Sequence, residues 1–370
     1  MMSLTELAAA LRRPLVVGVT SFVLVSAFAV SELSDVDWEP SHFAAFGEEA
    51  REIRAYAEER LGSVVLRPQL GHDGRFFFVQ ANDPWVLEPE ENALILDHPL
   101  YRTQRMFYPV VAGGLGFFGP DEIVWAMLVV NLVAMGVGAW AVARIATAMW
   151  ASPWWGLAFL LNLGFISELD VGGAGIVAGA AAFGAVAMIL NGRSWEGVAL
   201  LTVAALTREV MLIVAVGAGF HLWRRGERRE ATATAVMPLA AVLSWAIYLR
   251  TRIDLEIGSA QVQGIGVPFV GLFEAFESWI NDPLDLIVGL AVLLMLALFV
   301  RRAVLHDNLI GWAFLGFVPL TVVLTEEVWH SYFDITRAVA PLLTAFVLLV
   351  ALGDDSPGKV SSESSLSEGA

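Results

Sequence analysis

Residues 123–143 read IVWAMLVVNLVAMGVGAWAVA, a run without a single charged side chain. A helix needs about 20 residues to cross the hydrocarbon core of a bilayer, and this run is long enough. It does not alternate with the period of two that a membrane β-barrel requires, and backbone groups in lipid must be satisfied within the segment. The stretch therefore predicts a transmembrane α-helix.

The same pattern extends in both directions from this run. Hydrophobic residues make up 57% of the sequence and charged residues only 16%, whereas soluble domains are roughly a quarter charged. Other apolar runs lie at residues 14–30, 107–118, 153–166, 172–190, 195–206, 210–223, 233–249, 284–300, 309–324 and 338–352. Several are too short to cross alone, which predicts broken or re-entrant helices. We predict an all-α fold, a polytopic transmembrane helical bundle that forms a single domain over residues 1–352.

The composition also excludes some chemistry. The chain has no cysteine, so disulfides, thiol catalysis and cysteine metal sites are excluded. Lys359 is the single lysine, and arginine supplies the basic charge. About half of the net charge of −16 comes from residues 32–105, which hold 15 acidic residues and seven arginines.

The arginines predict an orientation in the cell membrane. Arg12 and Arg13 precede the first apolar run, which lacks a signal-peptide cleavage site and is therefore expected to be a retained helix. By the positive-inside rule the N-terminus is cytoplasmic, as are the arginine clusters at 224–229 and 301–302. If residues 107–118 do not cross fully, Arg144 and Arg193 lie inside, and Asp170 and Arg208-Glu209 lie near the external side.

Residues 32–105 are expected to form a large external loop. Apolar residues recur there at helical steps over about residues 41–61, with glutamates on the other faces, which predicts an amphipathic surface helix that ends at Gly62. This helix is expected either to lie along the membrane surface or to pack on the helical bundle. Residues 67–105 are rich in Pro, Gly, Asp and Asn and are predicted to be loop. The acidic tail, residues 353–370, is predicted to be disordered.

The candidate site starts in this loop, with His72-Asp73 and with Arg102 and Arg105 before the chain re-enters the membrane near Tyr108. Arginine can grip phosphate oxygens bidentately, while a carboxylate accepts a proton from an attacking hydroxyl. This combination suits an anionic lipid-phosphate substrate. The competing interpretation is that Asp73-Gly74 is simply a turn.

Two further groups of charges interrupt apolar sequence. Arg208 and Glu209 lie within a long apolar stretch, where each ionised side chain costs at least about 2.5–3.5 kcal/mol unless it is paired or faces a polar cavity. We expect Arg208 to contact phosphate, with Glu209 or another acid orienting it, or else a local ion pair at a helix break. Asp334 and Arg337 are three residues apart and can share a helical face near the substrate, or can belong to an external loop before the last helix. Asp170 is a weaker candidate that can cap the following helix.

Several short motifs resemble the type C superfamily of integral-membrane glycosyltransferases. The resemblance runs from the first helix to about residue 223 and is fainter at residues 334–341. Its motifs are Asp73-Gly74, Tyr101-x-x-x-Arg105-x-x-Tyr108-Pro109 and Val130-Asn131-Leu132, and Leu206-Thr207-Arg208-Glu209 is similar to one prokaryotic branch. Two features depart from the superfamily. Many members have a paired acidic motif in this loop, whereas here Asp73 stands between His72 and Gly74. Many also have a sizeable soluble domain after the bundle, whereas this sequence ends in a short acidic tail.

The resemblance implies an enzyme that uses a polyprenyl-phosphate sugar as donor. Asp73 would be the catalytic general base for direct displacement at the anomeric carbon. The phosphate and substrate contacts would come from His72, Arg102, Arg105, Tyr108, Arg208, Glu209, Asp334 and Arg337. No cofactor is required, although a divalent cation can assist and no protein metal ligands are assigned. The expected partners are the bilayer, the lipid-linked donor and a glycan, glycolipid or protein acceptor, and no nucleic acid.

Three other classes of protein remain open. A transporter or lipid flippase would use Arg208 and Glu209 as an intramembrane site, but the paired repeats typical of transporters are missing. An intramembrane protease is disfavoured because there is no His-Glu-x-x-His pattern, and Glu326-Glu327 is not followed by the arginine that glutamate-type proteases carry. A purely structural protein would leave the arginine and acid groups unexplained.

Overall fold

The computed structural model describes residues 4–253 and 264–352. The predicted all-α class is confirmed, since nearly all regular structure is helical. The helices are α1 (Leu4–Asp35), α2 (Arg51–Leu61), α3 (Gly74–Asn82), α4 (Pro89–Ile95), α5 (Pro99–Arg102), α6 (Phe107–Ala112), α7 (Pro120–Ala148), α8 (Leu157–Leu160), α9 (Leu163–Asp170), α10 (Gly175–Leu190), α11 (Ser194–Thr207), α12 (Leu212–Arg224), α13 (Arg228–Arg252), α14 (Val270–Trp279), α15 (Pro283–His306), α16 (Leu309–Leu315), α17 (Phe317–Val322), α18 (Glu326–Trp329) and α19 (Tyr332–Ala351). The predicted tail at 353–370 lies outside the described residues.

Five of these helices are long and apolar enough to cross a membrane. They are Arg13–Asp35 of α1 together with α7, α13, α15 and α19, and they have 20 to 29 residues each. Each has a window of 18 residues with at most two charged side chains, which is close to the thickness of a hydrocarbon core at 1.5 Å per residue. The chain is therefore a helical protein whose long helices suit a bilayer.

The shorter apolar runs form shorter or broken helices, as their lengths predicted. The run at 153–166 is divided between α8 and α9, because Asn162 has an extended backbone and its side chain caps α9 through the amide of Gly164 (3.0 Å). The run at 107–118 contains the six-residue α6 and a three-residue 3-10 helix at Gly114–Gly116, and neither is long enough to cross a bilayer.

Helices α1 and α7 run antiparallel and in close contact. A Cβ added at Gly18 would lie 2.7 Å from Cβ of Trp140, and one added at Gly136 would lie 2.9 Å from Cβ of Phe22. Small residues let helix backbones approach in this way, so van der Waals packing replaces the hydrophobic driving force that lipid removes. The antiparallel order puts the start of α1 beside the end of α7.

The two ends of the bundle are distinguished by the polar contacts found at each. At one, which we call the arginine end, Arg224 of α12 forms an ion pair with Asp307, which follows α15. At the other, which we call the pocket end, the amide of Tyr332 at the start of α19 donates to Asp285 at the start of α15 (2.6 Å). Asp73 and the candidate site lie at the pocket end.

Tryptophans at the arginine end stack on arginines. The guanidinium carbon of Arg228 lies 4.3 Å from the ring centroid of Trp223, and that of Arg224 lies 5.1 Å from Trp312. Tryptophan and arginine both favour the headgroup region, where an apolar body and a charged tip are satisfied together. This composition is typical of a membrane–water interface.

The first loop differs from its prediction in two ways. The surface helix predicted over 41–61 starts only at Arg51, because Ala45 has a positive φ (53°) and Phe46–Gly47 forms a two-residue parallel strand, β1, with β2 (Leu66–Arg67). Phe46 is fully buried rather than at the membrane surface. Gly62 ends the helix as expected, with φ 80°.

Residues 67–105 also contain three short helices where loop was predicted. In α3 the residues 74–81 are all buried, including Phe76, Phe77 and Phe78, so no side of this helix faces solvent as the polar side of a surface helix does. The helices α4 and α5 each begin with a proline at the first turn, Pro89 and Pro99, a position that proline favours. The loop is thus a packed helical layer over the pocket end.

Replacing Gly164 with alanine should destabilise the contact between α9 and α19. An added Cβ would collide with the carbonyl oxygen of Thr336, and backbone cannot move aside cheaply. We expect a loss of about 1–3 kcal/mol in the free energy of unfolding, measured in mixed micelles with increasing SDS. In the control Gly184→Ala the nearest atom is the flexible tip of Leu200 at 3.3 Å, so stability should stay equal or rise. Equal losses in both variants would contradict the close-contact explanation.

Candidate functional site

A cavity of about 370 Å³ opens at the pocket end, under the helical layer of the first loop. Charged and polar side chains dominate its wall. They are His72, Asp73, Arg75, Tyr101, Arg102, Arg105, Glu168, Arg208, Glu327, Asp334 and Arg337. Most of the predicted site residues therefore meet in one cavity, although they come from distant parts of the chain.

Asp73 is held where α3 begins. The amide of Gly74 donates to the carbonyl of Val171 (2.9 Å), which ties this turn to the connection between α9 and α10. A side chain at position 74 would fall 2.5 Å from that carbonyl oxygen, so glycine permits the close approach. The Asp73 carboxylate accepts hydrogen bonds from Arg102 (3.2 Å) and Arg337 (2.8 Å).

The arginines keep this carboxylate ionised. Burial acts to raise the pKa of Asp73, but the positive charges of the surrounding arginines, Arg337 first, outweigh it and hold the pKa well below its usual range. The side chain is 28% exposed, on the cavity wall. Asp73 is therefore an anion in contact with solvent that can enter the cavity.

This shift predicts how acid affects stability. Below about pH 4 an unfolded aspartate takes up a proton, whereas folded Asp73 stays ionised, so the unfolded state binds more protons and stability falls as the pH falls. The difference in free energy of unfolding between the wild type and Asp73→Asn should be constant above about pH 5. Below about pH 4 the wild type should lose stability relative to the variant, which has no carboxylate at this position. Chemical unfolding over this range measures it, and a change centred near pH 6 would contradict it.

Glu168 lies at the centre of the site, and sequence reasoning missed it. Its side chain is 2% exposed, and one oxygen contacts Arg208 (3.0 Å) and Arg337 (3.3 Å). The other oxygen accepts from the amide of Gly175 at the start of α10 (3.0 Å). The signal for Glu168 in the sequence is its place just after the apolar run 153–166, two residues before Asp170.

Asp170 has a different role from the predicted one. It does not cap α10, whose N-cap residue is Ala174, and it pairs with Arg67 at 2.7 Å. Arg67 also contacts His42 (3.0 Å). This cluster lies beside the Asp73 cavity rather than in its wall.

The Arg208-Glu209 pair predicted from sequence does not form. Helix α11 ends at Thr207 and Arg208 is extended, so the two side chains diverge, and Arg208 enters the cavity toward Glu168. Glu209 does not line the cavity and lies 3.6 Å from Arg105. The expectation of a helix break is confirmed, and the acid that orients Arg208 is Glu168 rather than Glu209.

Tyr108 is likewise misplaced by the prediction. Its side chain is fully buried, its hydroxyl donates to the carbonyl of Met127 (3.1 Å), and the amide of Asn131 donates to that hydroxyl (3.0 Å). The tyrosine is part of the packing that joins α6 to α7 and does not reach the cavity. The Asn131 of the Val-Asn-Leu motif therefore has a structural contact.

The remaining predicted residues lie in the cavity wall. The ring of His72 packs against Phe333, with centroids 5.2 Å apart. Asp334 accepts from Arg337 (3.3 Å) across one helical turn, as their spacing predicted. Arg105 donates to the hydroxyl of Tyr101 (2.8 Å), which fixes the guanidinium beside the cavity.

Arg102 is clamped from the opposite side. Its Nε and Nη2 donate to the two oxygens of Asp97 (2.9 and 2.8 Å), and Nη1 reaches Asp73. The guanidinium also lies 3.8 Å from the ring centroid of Phe76. Such fork-to-fork pairing leaves the group little freedom, so it is preorganised toward the cavity.

Glu32, His42 and Asp170 have ligand atoms within 4.8 Å of one another, a spacing that suits a metal ion. Arg67 Nη2, however, lies 3.0 Å from His42 Nε2 and 2.7 Å from the Asp170 carboxylate. A guanidinium group already supplies the positive charge there. The three side chains thus fit an arginine better than a divalent cation.

No protein-family model, curated protein or solved structure matches this chain. The geometry of the Asp73 cavity is therefore the observation that bears on function.

Proposed function

We propose that this chain is a membrane glycosyltransferase that moves a sugar from a polyprenyl-phosphate donor to an external acceptor, with Asp73 as general base. The observation that carries the proposal is one ionised carboxylate held between Arg102 and Arg337 in an arginine-rich cavity. Arg105 and Arg208 lie in the same wall. The cavity opens at one end of a helical bundle, where a lipid-linked substrate presents its phosphate.

In the proposed reaction an acceptor hydroxyl attacks the anomeric carbon of the donor sugar. The bond from that carbon to the phosphate oxygen breaks, and the polyprenyl phosphate leaves with the electron pair. Asp73 takes the hydroxyl proton, and the arginines stabilise the departing phosphate. The acceptor is a cell-surface glycan, a glycolipid or a protein.

The low pKa of Asp73 makes it a weak base before substrate binds, and the donor phosphate removes this obstacle. Arg102 and Arg337 each hold Asp73 by a hydrogen bond, and a phosphate competes for the same guanidinium groups. When the phosphate accepts hydrogen bonds from these arginines, its negative charge offsets the positive charges that depress the pKa of Asp73, so the carboxylate becomes a better proton acceptor. Binding of the donor would thus activate the base.

We propose an orientation from the arginines at the arginine end. Arg144, Arg193, Arg224 and Arg228 are located toward that end of the helices, and arginine-rich segments are retained in the cytoplasm. The pocket end then faces the external side of the cell membrane. A donor carried on a membrane lipid would reach it from the outer leaflet.

The transporter alternative was based on an Arg208-Glu209 pair, which does not form. It required Arg208 and Glu209 to act together, and these residues contact Glu168 and Arg105 instead. A lipid flippase would still move polyprenyl-phosphate sugars, so the test must separate movement from consumption.

The decisive experiment supplies the full chain in nanodiscs with a panel of polyprenyl-phosphate sugars and an envelope extract of the source cells as acceptor. We expect release of free polyprenyl phosphate from at least one donor and labelling of an acceptor. Parallel proteoliposomes report whether the same donors cross the bilayer intact. Transbilayer movement without release would reject the glycosyltransferase in favour of the flippase.

A further inference from the structure

A second cavity, of about 270 Å³, adjoins the Asp73 cavity beneath α2 and α4, and we call it the side cavity. The two share Leu70, Arg75 and Phe76 in their walls. Apolar side chains form much of the rest of the side cavity. The residues are Ile53, Leu94, Ile95 and Leu96, with the carboxylates of Glu49, Glu52 and Asp97 beside them.

Arg75, in the shared wall, is the one arginine of the Asp73 cavity that forms no ion pair with the described residues. It is 8% exposed, and its Nε and Nη1 have no hydrogen-bond partner within residues 4–253 and 264–352. The nearby Asp97 is engaged by both forks of Arg102. Arg75 instead lies over the ring of Phe76, 4.5 Å from its centroid.

Asp97 and Asp73 lie near enough to act on Arg75 electrostatically, but neither forms an ion pair with it. A buried guanidinium without a direct ion pair is unfavourable, because it has lost water and gained no carboxylate contact. The neighbouring charge of Arg102 adds repulsion, and burial together with that charge lowers the pKa of Arg75. An anionic group of a ligand relieves both penalties at once. The side chain is therefore preorganised for an anion that the described part of the chain does not provide.

We infer that the side cavity is the acceptor subsite and that it binds a sugar acid, whose carboxylate pairs with Arg75. This rests on the proposed glycosyltransferase function and adds the chemical class of its acceptor. Ile53, Leu94 and Leu96 offer an apolar surface to one face of a sugar ring, while the carboxylates beside them accept hydrogen bonds from its hydroxyls.

The charge of the wall favours a carboxylate over a phosphate. Glu49, Glu52 and Asp97 line the side cavity together with one unpaired arginine, so a dianionic phosphate meets about twice the repulsion of a monoanion there. The Asp73 cavity has the opposite balance, with five arginines in its wall. The donor phosphate thus binds in the Asp73 cavity, and the acid sugar binds in the side cavity.

The shared wall also explains how the acceptor reaches the base. Arg75 follows Asp73 by two residues in the first turn of α3, and both line the Asp73 cavity. A sugar anchored by its carboxylate at Arg75 spans the opening between the cavities. One of its hydroxyls then points toward Asp73, from which it can be deprotonated.

The test measures binding without any donor. The full chain in nanodiscs is titrated with methyl β-D-glucuronide and with its neutral counterpart methyl β-D-glucoside, by calorimetry. We expect the glucuronide to bind at least about tenfold more tightly. Arg75→Gln should abolish this preference and Arg75→Lys should retain part of it, which also shows that position 75 tolerates substitution. The control Arg54→Gln, at a half-buried arginine of α2 paired with Glu58, should leave the preference intact.

Equal binding of the two sugars by the wild type would overturn the inference. So would an Arg75→Gln variant that keeps the preference but loses affinity for free polyprenyl phosphate, because Arg75 would then belong to the donor site. A glucuronide preference in a protein that consumes no donor would support the acid subsite while rejecting the glycosyltransferase. The two proposals therefore fail separately.

Discussion

Replacing Asp73 with asparagine should lower kcat for sugar transfer by at least about 10²-fold, the lower range of what a positioned general base contributes. Asparagine has nearly the same shape but cannot accept the hydroxyl proton. Release of polyprenyl phosphate from the preferred donor measures the loss. The variant should remain folded, because the carboxylate is on the cavity wall and 28% exposed.

The same variant should not bind the donor more weakly. Asp73 competes with the phosphate for Arg102 and Arg337, so its neutralisation frees both guanidinium groups for the ligand. We expect the affinity for free polyprenyl phosphate to be unchanged or higher while kcat collapses. A lower kcat together with an unchanged or higher affinity distinguishes a lost base from a damaged binding site.

Asp170→Asn is the matched control, because Asp170 is a nearby ion-paired aspartate that does not line the cavity. Its kcat should stay within a few-fold of the wild type. An Asp73→Asn variant that keeps wild-type turnover would remove Asp73 from the mechanism, even if donor consumption itself continued.

The second large effect concerns stability. Glu168→Gln should reduce the free energy of unfolding by about 3–5 kcal/mol, the range for removing one partner of a buried ion pair. The carboxylate is 2% exposed and compensates both Arg208 and Arg337, which the variant leaves in the bundle with less counter-charge. Unfolding in mixed micelles of detergent and SDS gives the value.

Glu196→Gln provides the comparison on the surface. Glu196 pairs with Arg193 at 2.9 Å, but its side chain is 49% exposed, and exposed ion pairs contribute little to stability. Raising the salt concentration should weaken this pair and leave the Glu168 cluster almost unaffected. Equal losses for the two variants would show that burial of Glu168 adds nothing.

The sequence predicted the helical class and several members of the site for physical reasons. Charges are expensive in apolar segments, so Arg208 stood out by position alone. The spacing of Asp334 and Arg337 correctly indicated a shared helix face, and both lie in the cavity with Asp73.

The rest depends on tertiary contacts. The partner of Arg208 is 40 residues away in sequence, at Glu168, and no local pattern connects the two. Helix α3 was missed because its residues are buried on every side, which removes the period that identifies a surface helix. Tyr108 was assigned to the substrate site from a motif, which shows the residue type but not where the side chain points. Its hydroxyl points into the core.

The bond between Asp73 and Arg337 joins residues 264 positions apart. At the pace of synthesis, about 5–20 residues per second, Asp73 leaves the ribosome roughly 13–53 s before Arg337 follows it. During that interval Asp73 and Glu168 lack the arginine of α19, their common counter-ion. The ion pairs that join Asp73 and Glu168 to Arg337 thus form only when α19 is inserted. Chains truncated before α19 lack these pairs and should be recognised by membrane quality control as unfinished.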